Sequence, residues 1–121
     1  MMHTLQYNPD TDCIELTIQG VFNMERLKAI APEVAGLSEK SACQRILNDM
    51  SNATIDVSLA DIYSSPQQMD NSGISRSTRR ALVVPADFEQ ASFLETVTRN
   101  RGHNLKLFND RGSALEWLQA K

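Results

Sequence analysis

The sequence predicts an α/β fold with a small, mixed, mostly parallel sheet, an N-terminal β-hairpin and helices that cover the sheet. Short apolar stretches of strand length alternate with longer stretches whose apolar residues recur at helical spacing. Strands that alternate with helices are joined by crossovers, which make neighbouring strands parallel. An Asn-Pro-Asp turn near the start instead predicts one antiparallel pair. The expected order of elements is ββαβααβαβα.

The hairpin is predicted from "HTLQYNPDTDCIELTIQG", in which Asn8, Pro9 and Asp10 separate two alternating stretches. Proline presets one turn dihedral, and Asn and Asp side chains hydrogen-bond their own backbone. From Cys13 to Gly20 polar and apolar residues alternate, which is typical of a strand with one apolar face, near the edge of a sheet.

The first helix is predicted to begin after Asn23, a residue type that caps helix N-termini well. Pro32 lies inside this helix and removes one backbone donor, so we expect it to kink the helix or to split it. "CQRILND" is the next predicted strand. One helical turn should follow Ser58, and Ser65-Pro66 predicts a fresh N-cap with proline at the first helical position, in a helix that ends at Gly73. Two short helices are therefore expected.

The last third of the chain has the strongest patterns. "RRALVVP" predicts an interior strand that ends at Pro85, whose missing donor cannot continue a central ladder. "ADFEQASFLETVTRNRG" predicts a long amphipathic helix that stops at Gly102. "NLKLFND" and "GSALEWLQA" complete the chain as a strand and a helix.

Four short motifs in this part carry a resemblance: Val84-Pro85, Asn100-Arg101-Gly102, Phe108-Asn109-Asp110, and the Ala-x-x-Trp-Leu segment from Ala114 to Leu118. The chain resembles, over nearly its whole length, the SpoIIAA-like proteins of the STAS superfamily. The resemblance implies the STAS fold, a small sheet backed by helices that is related in shape to the lipid-binding CRAL-TRIO domains. It brings no catalytic residues, and because such domains often pack as dimers it makes a homodimer a candidate assembly.

The same resemblance raises a question about Ser58. In the anti-sigma-factor antagonists of the superfamily, a strand leads into Asp-Ser-Ser-Gly at a helix start, and a partner kinase phosphorylates the second serine. Asp56 can be aligned with the aspartate and Ser58 with the phosphoacceptor, although Val57 replaces the first serine. A phosphate there would meet free backbone donors and the positive end of the helix dipole. The alternative is a plain helix cap formed by Asp56 or Ser58, and both interpretations stay open.

Composition narrows the classes of function. A chain of 121 residues suits a single domain over 1–121, and a net charge of −3 with a pI near 5.3 disfavours nucleic-acid binding. With only two histidines and no CxxC, neither a metal site nor another cofactor is predicted, and Cys13 and Cys43 are expected to be small buried hydrophobes. No apolar run approaches the roughly 18 residues of a spanning helix, and no signal peptide is recognisable, so we expect no transmembrane segment and a cytoplasmic location.

A candidate ligand pocket is predicted at the carboxyl ends of the strands, where open α/β sheets tend to bind ligands. The polar stretch "SSPQQMDNSGIS" is broken by proline and glycine and is the part of the chain most expected to move, so residues 63–74 would form a mobile lid over an apolar pocket. The residues assigned to this pocket and lid are Asp49, Ser51, Tyr63, Met69, Ile74, Pro85 and Asp110. Asp49 and Asp110, with Ser58, would form the active site of a hydrolytic enzyme, but no histidine or metal set accompanies them.

Five arginines precede predicted strands and are expected at the opposite edge of the sheet, as a patch for an anionic headgroup or an acidic partner. They are Arg76, Arg79, Arg80, Arg99 and Arg101. The leading hypothesis is a non-enzymatic regulatory domain that binds a protein partner or a small amphipathic or anionic ligand. Peripheral membrane binding and the hydrolytic enzyme are the alternatives.

Overall fold

The structure is a computed structural model that describes residues 3–120. Strands and helices alternate along the chain after an initial run of three strands. In chain order the elements are β1 His3–Asn8, β2 Cys13–Ile18, β3 Gly20–Phe22, α1 Met24–Ser41, β4 Arg45–Asp49, β5 Ala53–Ile55, α2 Leu59–Ser72, β6 Arg79–Val83, α3 Ala91–Asn100, β7 Asn104–Phe108 and α4 Arg111–Gln119.

The main sheet has five strands in the order β1-β2-β4-β6-β7. β1 is antiparallel to β2, and each later pair of neighbours is parallel, which confirms the predicted α/β class and the N-terminal hairpin. β3 and β5 pair in parallel as a second, two-stranded sheet that was not predicted. Each has three residues, which is too short to show a period-2 pattern.

Helices cover both faces of the main sheet, and the two faces have separate cores. α1, α2 and α3 lie on one face over the larger core, which includes Ile14, Ile46 and Leu82. Of the helices in residues 3–120, α4 is the one on the other face, where Ala114 and Leu118 pack against Leu47 and neighbouring strand residues. Successive residues of β6 point to opposite faces of the sheet, so Leu82 belongs to the larger core and Ala81 and Val83 to the smaller one.

α2 corrects the prediction of two short helices: it is one helix, and Pro66 lies buried in its interior. Proline lacks the N–H that would bond to the carbonyl of Ile62, four residues earlier. The Ser65 hydroxyl donates to that carbonyl at 2.8 Å, so the acceptor is satisfied although the proline cannot serve it. Ser65 is therefore not an N-cap. The helix begins after Ser58, and it ends as predicted at Gly73, whose φ of 89° lies in the left-handed region.

α1 is likewise one continuous helix, so Pro32 does not split it. Pro32 is exposed, on the side of α1 that faces away from the buried residues Ile30, Ala31 and Val34. Asn23 is the N-cap as predicted, because its side chain accepts a hydrogen bond from the backbone N–H of Arg26.

β7 is an edge strand of the main sheet, and a side chain from α3 covers part of its free edge. The carboxylate of Glu95 accepts a hydrogen bond from the backbone N–H of Leu107 at 3.0 Å. α3 begins only at Ala91, later than the apolar pattern suggested. Among the helices of residues 3–120, none combines the length and the hydropathy needed to cross a membrane.

Candidate functional site

A cavity of about 110 Å³ lies between the main sheet and the three helices of its larger core. Its walls are mostly apolar, because the apolar faces of the strands and helices converge there. The sheet contributes Leu16, Ile46 and Leu82, and the helices contribute Ile30, Ile62 and Met69.

The cavity opens at the carboxyl ends of the strands. Several of its partly exposed lining residues lie at that end: Phe22 and Ile55 close the short strands β3 and β5, Asn48 is near the end of β4, and Asp61 lies in the first turn of α2. Phe88, in the connection after β6, also lies there. The small β3-β5 sheet therefore forms part of the rim, at the edge where open α/β sheets bind ligands.

Arg80 lies at the opposite, inner end of the cavity, because it is the second residue of β6. It shares a face with Leu82, and only 8% of its surface is exposed. Its Nε and Nη2 are buried and have no hydrogen-bond partner within residues 3–120. Burial lowers the pKa of Arg80 to about 10, so the guanidinium still carries its charge at neutral pH. The hydroxyl of Thr98, which also lines the cavity, is similarly buried and unpartnered in the described chain.

The charge of the Asp70 carboxylate acts on Arg80, but the hydrogen bonds and close contacts of Asp70 are made with other side chains. Arg76 donates to it from Nε at 3.3 Å and from Nη2 at 2.9 Å, and Nε2 of the buried His103 lies 3.0 Å from Oδ1. The hydrogen bonds from Arg76 hold the pKa of Asp70 below its usual range. Burial lowers the pKa of His103, and the charge of Arg80 lowers it further. Asp70 thus acts on Arg80 through space, without a hydrogen bond to Nε or Nη2 in the described residues.

Ser58 forms a capping box at the start of α2. Its hydroxyl accepts a hydrogen bond from the backbone N–H of Asp61 at 3.0 Å, and the Asp61 carboxylate accepts one from the backbone N–H of Ser58 at 3.0 Å. Asp56 is not the cap; its backbone N–H donates to the carbonyl of Phe22. The sequence does carry the signal for this box, a serine followed three residues later by an acidic residue. Ser58 is exposed, and its phosphorylation stays a prediction.

Replacing Ser58 by alanine is expected to lower the free energy of unfolding by about 1 kcal/mol, because the first turn of α2 loses its cap. Urea unfolding of the purified variant measures this loss. Ser64→Ala is the matched control, since the Ser64 hydroxyl donates only to the carbonyl of Asp61 within the same helix. Equal stability of Ser58→Ala and the parent protein would contradict the cap.

The structure separates the residues predicted for the pocket and lid. Met69 and Ile74 line the cavity, whereas the other five lie outside the lining that the structure describes. Residues 63–72 of the predicted lid belong to helix α2, and Tyr63 lies on its exposed side under the guanidinium of Arg101.

Asp49 and Asp110 do not lie on neighbouring strands, because β6 runs between β4 and β7. Asp49 accepts hydrogen bonds from the backbone N–H and the hydroxyl of Ser51. Asp110 caps α4, and the backbone N–H of Ser113 holds its pKa below the usual range. Each carboxylate thus accepts hydrogen bonds from the turn or helix that directly follows its own strand. Within residues 3–120, no group of three or more His, Cys, Asp and Glu side chains is placed to hold a metal ion.

The five arginines do not form one patch on one face. Arg79 and Arg80 are successive residues of β6, so Arg79 points to the face of α4, where it donates to the carbonyls of Trp117 and Leu118. Arg99 lies near Glu95 on α3. With Arg76 bound to Asp70 and Arg101 stacked on Tyr63, their use by a headgroup stays a prediction.

Glu15 is a buried acid that the sequence pattern gave no reason to single out. Burial raises its pKa, but hydrogen bonds from Arg111, Thr11 and Asn8 outweigh that effect, and the net pKa lies below its usual range. Arg111 donates to it at 2.8 Å. Glu15 therefore joins the start of α4 to the hairpin, a structural role on the face away from the cavity.

Comparison with solved structures places this geometry among known folds. The chain aligns with the anti-sigma factor antagonist SpoIIAA in its unphosphorylated form over 99% of this chain and 100% of that one, with a TM-score of 0.54 and 9% identity. For the Bacillus cell fate determinant SpoIIAA in its phosphorylated form the coverage is 98% and 100%, the TM-score 0.57 and the identity 9%. The chain has a SpoIIAA-like fold. This confirms the fold that the sequence resemblance implied.

A third similar structure is an uncharacterised protein with a SpoIIAA-like fold from Shewanella loihica. It aligns over 97% of this chain and 92% of that one, with a TM-score of 0.58 and 17% identity. No protein-family model and no curated protein matches the chain. At these identities the likeness establishes the SpoIIAA-like fold alone.

Proposed function

We propose that the chain is a non-enzymatic binding domain whose apolar cavity takes a small apolar or amphipathic ligand. The cavity itself carries this proposal: it is about 110 Å³ in volume, is walled by aliphatic side chains, and opens at the carboxyl edge of a parallel sheet. Well-packed interiors leave few voids larger than a water molecule, so a cavity of this size is unusual in a small domain.

The size and polarity of the cavity set the class of ligand. An apolar cavity of roughly 150 Å³ stays dry and binds benzene, so a space of this order suits one ring or a short aliphatic chain. Filling it would restore the dispersion contacts that the cavity walls lack in its absence. A whole phospholipid is far larger than this space.

A protein partner is the second candidate, and the exposed side of α2 favours it. Leu59 and Tyr63 are 59% and 60% exposed, one helical turn apart and next to the capping residue Ser58. Exposed large apolar side chains that adjoin each other are typical of contact surfaces. The similar structure named as an anti-sigma factor antagonist supports a regulatory partner of this kind.

The test of the cavity is to fill it. Ala31 of α1 is buried and lines the cavity, so Ala31→Leu places three additional carbon atoms in the space that a ligand would use. We expect cyclohexanol to cause saturable amide shifts in a ¹H–¹⁵N spectrum of the parent protein, centred on residues that line the cavity. In Ala31→Leu these shifts should be lost.

Ala29→Leu is the matched control, because it makes the same alanine-to-leucine change on the same helix, at a position that is exposed. It should bind cyclohexanol like the parent protein. Absence of saturable shifts in the parent, or unchanged binding in a folded Ala31→Leu, would reject a ligand in this cavity and leave the protein-partner candidate.

A further inference from the structure

We infer that the ligand of this cavity is a small carboxylic acid, bound with its carboxylate against Arg80 at the inner end and its apolar part toward the opening. This inference rests on the proposed function and deepens it, because it names the chemical group that the cavity recognises. Its basis is a charged side chain that is 92% buried and lines the cavity, with two nitrogens that the described chain leaves unpartnered.

The buried guanidinium of Arg80 favours the binding of an anion. A buried charge is costly unless it is paired and hydrogen-bonded, and a buried donor without an acceptor forfeits its hydrogen bond with water. The planar fork of arginine matches the two oxygens of a carboxylate, which it can bind through two parallel hydrogen bonds. A bound carboxylate would supply both the missing acceptors and the missing charge.

The acidic side chains nearby do not fill this role. Asp70 accepts hydrogen bonds from Nε and Nη2 of Arg76 and lies against His103, and it acts on Arg80 only through its charge. Asp61, the carboxylate that lines the cavity, accepts from the backbone N–H of Ser58 in the capping box. No acidic side chain of residues 3–120 hydrogen-bonds to Nε or Nη2 of Arg80, so the anionic position beside it is open to a bound ligand.

The placement of these charges also sets the orientation of the ligand. Asp61 lies at the opening and would repel an anion held there, whereas Arg80 lies at the inner end of the cavity. A molecule with one carboxylate and an apolar body satisfies both ends only with the carboxylate inward. The negative charge of Asp70 also acts on Arg80 and would repel an anionic ligand. A monocarboxylate, with one negative charge, is repelled less than a phosphate dianion and therefore fits better.

A matched pair of probes tests the inference. Cyclohexanecarboxylate and cyclohexylmethanol have the same ring and nearly the same volume, and they differ in charge. We expect the parent protein to bind the carboxylate on the order of 10- to 100-fold more tightly than the alcohol, which is the effect of one charge-assisted hydrogen-bonded pair. Titrations followed by ¹H–¹⁵N spectra at pH 7 give both affinities.

The variant Arg80→Met should lose the preference for the carboxylate over the alcohol. Arg79→Met is the control, since it removes the adjacent arginine from the opposite face of the same strand, and it should keep the preference. If Arg80→Met does not fold, Arg80→Gln removes the same charge and carries the same expectation.

The outcomes separate this inference from the proposed function. Equal affinity of the parent protein for both probes, or a preference that persists without the charge at position 80, would overturn the carboxylate while leaving the cavity as a ligand site. Failure of both probes to bind would overturn the ligand-binding function itself.

Discussion

Leu118→Ala is expected to lower the free energy of unfolding by about 2 to 5 kcal/mol, the range for truncating a buried leucine. Leu118 has no exposed surface, and it belongs to the smaller core that α4 forms with the main sheet. α4 is the helix that covers this face, so neighbouring helices cannot close over the resulting void. Equilibrium unfolding in urea, followed by circular dichroism, measures the loss.

Leu115→Ala is the appropriate control for this prediction. Leu115 lies one turn earlier on the same helix and is only partly buried, so its truncation removes less packing at the same helix propensity. The Leu118 variant should be the less stable of the two. Comparable stabilities would mean that α4 is held mainly by its polar ends, through Asp110 and Arg79, rather than by its apolar face.

Arg80→Met is expected to have the opposite effect and to raise the free energy of unfolding of the ligand-free protein by about 1 to 4 kcal/mol, the gain that can follow when a buried ion pair is replaced by hydrophobic side chains of similar volume. A buried charge without a hydrogen-bonded partner is costly, so its replacement by an apolar side chain should stabilise in the same sense. Here the replacement removes an unpartnered charge from an aliphatic cavity, and Asp70 keeps its bonds to Arg76. Thermal and urea unfolding without added ligand report the change.

Arg79→Met provides the comparison from the adjacent position and should lower the stability. The Arg79 guanidinium donates to the carbonyls of Trp117, Leu118 and Ala120 at the end of α4 and lies 5.8 Å from the centre of the Trp117 ring. Its loss leaves those carbonyls without that partner. A loss of stability in both variants would show that Arg80 is not an uncompensated charge.

Local sequence signals predicted most of the fold. The Asn-Pro-Asp turn, the cap at Asn23 and the glycine at position 73 are each local features whose backbone geometry is the same in any surroundings. Pro66 misled the prediction because its effect depends on a compensation that residue preferences do not show. The Ser65 hydroxyl takes over the carbonyl of Ile62, and the helix continues.

The candidate site was less predictable, because it depends on which face of a strand each residue occupies. Met69 and Ile74 line the cavity, and their apolar side chains in a polar segment are the signal for a pocket there; their contact with a ligand stays a prediction. The position of Arg80 before an apolar run predicts only that it belongs to a patch with four other arginines. The period of two in "RRALVV" held a better signal, since it places Arg80 with Leu82 and Val84 on one face and Arg79 on the other. Which of the two faces adjoins the cavity depends on where α1, α2 and α3 pack, which is a property of the tertiary structure.

The hydrogen bond from Leu107 to Glu95 has a consequence for how the molecule avoids self-association. An edge strand presents unpaired backbone groups that can template the addition of a foreign strand, and natural sheets guard against this. At β7 an added strand would first have to displace the Glu95 carboxylate and separate α3 from the edge that it covers. The Glu95 carboxylate therefore protects this edge against aggregation, and loss of that side chain would weaken the protection without removing any residue of the core.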